Sequence, residues 1–404
     1  MSKASARNEF LFLDSVRGVA SVVVVASHLV MGFYPELHAP TQPPWVRIWY
    51  SGDFAVQLFF VLSGFVLSIS FVRGGGLESI RSAAVRRYFR LVVPIAACVL
   101  LSYLLLRMGL YCNREAAIAS GQTADSWLGR WFNFPASLPR AIDEGLYRAL
   151  FAFNIDNTYN NVLWTMQAEF AGSFFVFGFL ALFGGLRNRW LVYCVVGAVL
   201  IRQEMVSYFA FLAGMALCDA MAGRLPVRNR PLAGAALALT GILVGGTTHA
   251  WLQGWVEWTP KRLAIFNRPL GAVLLLYGVI RAGWVRAVLH SRPLVFLGHL
   301  SFPLYLAHLL VQMSLGCYVY LACRAAQYGP GSAFSAAAAA TVAASLVIAW
   351  VGAITVEPLS IYLGRRVYTA TFKPASTTPQ DNAGATPCPP GASADTPNAR
   401  TQGA

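Results

Sequence analysis

The feature that most constrains this chain is a recurrence of apolar runs about as long as a bilayer is thick. A helix needs roughly 20 mostly apolar residues to cross a ~30 Å hydrocarbon core. Ten apolar segments can be drawn, at 11–31, 54–72, 88–106, 162–185, 190–201, 205–222, 232–247, 264–280, 294–316 and 335–356. Only 12% of the 404 residues are charged and 57% are apolar, whereas soluble domains carry about 25% charge. The expected fold class is all-α: a polytopic integral membrane bundle of about ten transmembrane helices. Lys3 and Arg7 lead into the first run as in a signal peptide. Asp14 and Arg17 interrupt it and no small-residue cleavage site follows, so it reads as a retained helix.

The net charge of +14 would suit a nucleic-acid partner, but the basic residues sit in short clusters between apolar runs and no binding motif accompanies them. That placement points to loops facing the anionic leaflet of a lipid bilayer. Because the fifth segment is short, residues 190–222 form either one helix or a pair turning at Arg202-Gln203-Glu204. The pair places 18 Lys/Arg on the cytoplasmic side and 11 outside, while a single helix gives 13 and 15 and buries Arg202. The positive-inside bias selects the pair and puts both termini in the cytoplasm, as in an integral protein of the plasma (inner) membrane.

The expected plan is a cytoplasmic N-terminus (1–10), a membrane domain (11–363) with a long external loop (107–161), and a tail (371–404). The tail is Pro, Ala, Thr, Gly and Ser, a composition expected to stay disordered. The external loop carries five Arg, five acidic residues and many aromatics, among them Trp127, Trp131, Phe132, Tyr147 and Tyr159. Such rings suit stacking on sugars and interfacial anchoring equally. The seven cysteines show neither CxxC nor metal-ligand spacing, so no metal is expected. Cys112 with Cys317 or Cys323 is the pairing that an oxidising outer face would allow.

Ionisable side chains within a span are costly and mark candidate sites. The first helix holds Asp14, Arg17 and His28. Arg17 and His28, eleven residues apart, differ by about 1100°, within about 20° of three full turns. They share a face, some ~16 Å apart, with Arg17 toward the cytoplasm. Snorkelling of the Arg and capping by the His is the plainer alternative. In the second helix Ser63-Gly64 is either a packing notch for another helix or a hydroxyl beside a substrate tunnel. Arg87 and Arg90, at i and i+3 in RRYFR, project together as a phosphate-binding pair would, though positive-inside loading alone accounts for such charge. Glu169 lies nearly two turns into the fourth helix with no basic neighbour on it, so it needs a partner elsewhere, and His28 is the natural choice at that depth. Ser301, Tyr305 and His308 form one polar stripe at i, i+4 and i+7. Glu357 falls near the cytoplasmic side, within reach of Arg17, Arg87 or Arg90.

The run LDSVRGVASVVVVASH, with Arg-x10-His, resembles the first helix of the acyltransferase 3 family of membrane O-acyltransferases. AVQLFFVLSGF, RRYFR before Pro94, LWTMQAEF, LGHLSFPLYLAH and VEPLS are similar to its further motifs in the same order, over about residues 11–363. Gln57, Phe302 and Phe170 depart from the Asp, Tyr and second Glu often found there. The resemblance implies transfer of an acyl group, commonly acetyl, from acyl-CoA as donor co-substrate to a hydroxyl of a carbohydrate or other envelope or secreted acceptor. It implies that His28 is the catalytic histidine with Arg17 as its partner, and that Arg87 and Arg90 lie on the coenzyme side. Glu169 completes the expected catalytic set by orienting His28. The rival readings are a proton-coupled transporter, since His, Glu and Arg also build relays, and a non-catalytic scaffold.

Overall fold

Apolar segments in lipid have no water to satisfy backbone N–H and C=O groups, so the chain must bond them within helices. In the computed structural model, which describes residues 10–38, 42–221, 229–247 and 260–372, each of the ten apolar segments is helical. The principal helices are α1 (Leu11–Phe33), α2 (Gly52–Ser70), α3 (Gly76–Arg107), α4 (Trp164–Phe183), α5 (Trp190–Arg202), α6 (Val206–Met221), α7 (Pro231–Gly246), α8 (Pro260–Arg281), α9 (Arg292–Val311) and α10 (Pro330–Phe372). α5 and α6 are a pair, broken where Glu204 takes a positive φ of 56°. α2 and α3 join through the π-turn Phe71–Gly75, where Gly74 adopts φ 91°, a conformation that favours glycine.

Ten helical segments are not ten proven crossings. Five helical stretches are long and apolar enough to span a bilayer, or six if the bent pair Ile265–Arg281 and Gly283–Leu289 counts as one span. One of the five, Gly52–Arg107, contains both α2 and α3. α5, α6 and α7 have 13, 16 and 16 residues, so they rise only about 20–24 Å against a core of ~30 Å. Residues 1–9, Cys388 and the tail from 373 lie outside the described residues; Thr371 and Phe372 still belong to α10.

Two glycine contacts set the bundle. A Cβ on Gly18 would sit 2.7 Å from the Gly298 nitrogen, and one on Gly298 would sit 2.5 Å from the Asp14 carbonyl oxygen. α1 and α9 therefore touch backbone to backbone. Ten residues further along each, about 15 Å, His28 and His308 meet again at 2.7 Å, so the two helices run parallel. On α2, Gly64 abuts the carbonyl of Phe211, while Gly214 of α6 abuts that of Val61. The notch reading of Ser63-Gly64 thus holds for Gly64.

The segment 107–161 folds over one end of the bundle. Asn113 donates to the carbonyls of Leu128 (2.9 Å) and Trp131 (3.2 Å). The Glu144 carboxylate accepts from the Thr158 hydroxyl (2.6 Å) and the Tyr159 N–H (2.9 Å), while burial pushes its pKa up. Trp131, Phe132 and Tyr159 are buried, so these rings serve the segment's own core and are closed to a sugar. The Cys112 thiol is free, as are Cys317 and Cys323. Cys112 docks its N–H on the Met313 carbonyl (3.3 Å) and its Sγ on that of Ser314 (3.5 Å).

The α1–α9 contact gives the first prediction. Gly298→Val should destabilise the protein by about 1–3 kcal/mol, the usual cost of overpacking, and lower the thermal midpoint in detergent. Gly178→Ala, where a Cβ meets nothing within 4 Å, should leave the midpoint unchanged or slightly raised.

Candidate active site

Of the eleven side chains singled out on the sequence, nine line one cavity of about 290 Å³: Asp14, Arg17, Ser63, Arg87, Arg90, Glu169, Ser301, Tyr305 and Glu357. They come from α1, α2, α3, α4, α9 and α10. The remaining two, His28 and His308, hydrogen-bond to each other. His308 continues the stripe of Ser301 and Tyr305 one turn past the cavity wall, and the Tyr305 and His308 rings lie 5.9 Å apart. Arg17 is therefore on the cavity wall, and His28 lies three turns further along the same face of α1.

The charges within the cavity are organised in a way that the sequence did not predict. Glu169 does not reach His28. Its carboxylate forms an ion pair with Arg87 and accepts the Ser63 hydroxyl at 2.6 Å. Arg87 Nε donates to Ser173 Oγ at 2.7 Å, and the Ser173 hydroxyl donates to the Glu169 carbonyl at 2.6 Å. The reason is physical: an unpaired buried guanidinium and an unpaired buried carboxylate each cost several kcal/mol, and here they cancel. Arg87 consequently spends its charge inside the protein, whereas Arg90 stays exposed to the cavity. Three arginines (Arg17, Arg87, Arg90) face three carboxylates (Asp14, Glu169, Glu357) across the cavity, so its walls are formally neutral. One donor is left over: Arg17 Nε is buried and has no hydrogen-bond partner. Buried donors are nearly always satisfied, so this one fits a ligand oxygen.

At the far end His28 is gripped from three sides. His308 holds its ring through Nδ1, Trp127 stacks on it at 5.5 Å with planes 9° apart, and Gln312 donates to its backbone carbonyl at 2.8 Å. Tyr305 hydrogen-bonds Thr165 at 2.8 Å, tying α9 to α4 beneath the pair. Ser173 and Gln312 were missed on the sequence, and Trp127 was noted there only as an external aromatic, without its contact to His28. Ser173 and Gln312 are polar residues inside apolar runs, which is a usable signal; no spacing rule brings Trp127 to His28 across 99 residues of chain.

A larger cavity of about 720 Å³ lies between α2, α4 and the α5–α6 turn, with the Arg268–Asp53 ion pair (2.8 Å) at its rim. It shares only Val56 with the first and contains none of the eleven residues. Among the described residues no three His, Cys, Asp or Glu side chains gather as metal ligands would.

The ion pair carries the second prediction. Glu169→Ala strands Arg87 and should cost about 3–5 kcal/mol of stability, whereas the double variant Arg87→Met with Glu169→Met should recover most of it. Thermal unfolding of the purified variants in detergent measures both.

Comparison with known proteins bears on the family. A family model described as an acyltransferase domain, acyltransferase 3, matches residues 10–350. Acyltransferase clz18 of Cochliobolus lunatus is 24% identical over 392 residues, covering 76% of this chain and 83% of the relative. O-acetyltransferase PaAT-1 of Phomopsis amygdali is 23% identical over 355 residues, covering 74% of this chain and 71% of the relative. Acyltransferase R4 of a Phoma species is 23% identical over 395 residues, covering 76% and 83%. No solved structure matches significantly. With its motifs in order, its apolar helices and a family match over most of its length, the chain belongs to the acyltransferase 3 family and is a membrane acyltransferase.

Proposed function

We propose that this acyltransferase moves an acetyl group from acetyl-CoA to a hydroxyl of a carbohydrate or similar acceptor, with His28 as general base. The observation that carries the reading is the alignment of the cavity with the His28–His308 pair along one stripe of α9. The name of one relative, an O-acetyltransferase, supports acetyl as the acyl group and oxygen as its destination. In this reading all ten helices cross the membrane, the shorter α5–α7 included, and both termini are cytoplasmic. The basic residues at the Arg17 end favour that orientation.

The donor enters from the Arg17 end. Arg90, open to the cavity, binds a coenzyme phosphate, and the unpartnered Arg17 Nε receives an oxygen of the donor deeper in. Arg87 contributes by fixing Glu169 and the wall rather than by direct phosphate contact. The acceptor arrives at the opposite end, beside Trp127. His28 removes the hydroxyl proton as the oxygen attacks the thioester carbonyl carbon. The new C–O bond forms, the C–S bond breaks, and the proton passes from His28 to the departing thiolate, leaving ester and free coenzyme.

His28→Ala should lower transfer of labelled acetyl from acetyl-CoA to envelope glycans by about 10²–10⁴-fold, the usual worth of a general base, with protein yield and acetyl-CoA binding retained. Undiminished transfer would sink the assignment. Arg90→Ala should raise the KM for acetyl-CoA about tenfold, in keeping with one charge-assisted hydrogen bond, and leave kcat nearly unchanged.

A further inference from the structure

His28 has two ring nitrogens, and only one of them can serve as the base. In a neutral imidazole one nitrogen carries hydrogen and the other a lone pair, and the hydrogen-bond partner of one decides the state of the other. His308 Nδ1 lies 3.1 Å from the Leu304 carbonyl oxygen. A carbonyl can only accept, so Nδ1 of His308 bears the hydrogen. Its Nε2 is then an acceptor, and it faces His28 Nδ1 at 2.7 Å. His28 Nδ1 must therefore donate, which puts the lone pair of His28 on Nε2.

The ring geometry agrees. The two imidazole planes are only 14° apart, and their centres are separated by 5.0 Å, about the sum of the 2.7 Å bond and two ring radii. The rings lie edge to edge in nearly one plane, so the bond points along the in-plane lone pair of His308, as an sp² nitrogen requires. His308 is fully buried, so water does not compete for its Nε2. Its place on α9, which is locked to α1 at Gly298 and Gly18, and the hold of Gln312 on the His28 carbonyl fix the relative position of the two rings.

We propose that His308 is a positioning residue that sets the tautomer and plane of His28, keeping hydrogen on Nδ1 and the basic lone pair on Nε2. The proposal rests on the reading of His28 as the base. When Nε2 takes the acceptor proton, the His28 imidazolium still donates Nδ1–H to His308 Nε2, which shares the positive charge without a carboxylate. His308 gains and loses no proton over the cycle.

The test uses the full-length protein in detergent, with acetyl-CoA and envelope glycans as substrates. His308→Gln can place a side-chain oxygen where Nε2 lies, because both are three bonds from Cβ; His308→Asn is one atom short and His308→Leu has no acceptor. His308→Leu and His308→Asn should lower kcat on the order of 10–100-fold, as loss of an orienting partner does, with the KM for acetyl-CoA unchanged, and His308→Gln should recover most of kcat. Nitrogen-15 spectra of histidine-labelled protein should show His28 protonated at Nδ1 in the wild type and shifting toward Nε2 protonation in His308→Leu. Equal kcat across all three variants, or a wild-type His28 protonated at Nε2, would overturn the proposal. If His28→Ala keeps its activity, the base assignment itself fails. The spectra still decide whether His308 sets the tautomer, so the two failures are separable.

Discussion

The structure depends first on the backbone contact between α1 and α9. Gly18 and Gly298 let the two helices touch with no side chain between them, and helices this close can run parallel for several turns without diverging. Everything else at the candidate site follows from that register. It sets the Asp14 and Arg17 side chains of α1 beside Ser301 and Tyr305 of α9 on one cavity, and it brings His28 to His308 ten residues later. Any larger residue at the crossing would separate the cavity wall and the histidine pair together, because both lie along the same two helices.

The second constraint is the cost of charge in a low-dielectric interior. The cavity carries six arginine and carboxylate side chains, and the protein accommodates them by matching signs: Arg87 with Glu169 in a hydrogen-bonded cluster that includes Ser63 and Ser173, and Glu357 and Asp14 across from Arg90 and Arg17. The result is a polar cavity whose charged walls are formally balanced. Beyond the charged end lie the two imidazoles, a hydroxyl pair formed by Tyr305 and Thr165, and an indole face. Charge is thus concentrated at one end of the site, while groups able to move a proton are concentrated at the other.

Much of this was legible in the residues. Apolar run length located every principal helix, and charge counting chose the α5–α6 pair, whose break appears at Glu204. The polar residues stranded in apolar runs came together: nine share a cavity and two share a hydrogen bond. What the residues concealed was the pairing. Glu169 and His28 looked suited by depth, yet Glu169 went to Arg87; RRYFR looked like one phosphate clamp, yet its two arginines divide into a structural member and an open one. The external aromatics looked available to a ligand, yet Trp131, Phe132 and Tyr159 close a small core.

By itself the sequence determined the class of structure, the helices and the family, because these rest on local quantities: apolar run length, the 3.6-residue period and the order of short motifs. Only the tertiary structure decided which side chain meets which. Partner choice depends on helix rotation and axial register, and a rotation of one residue position turns a side chain by about 100°, enough to exchange one buried partner for another. Glycine contacts far from the ionisable groups set that register. They are the reason His28 finds His308 at 2.7 Å while Glu169 is held elsewhere by Arg87.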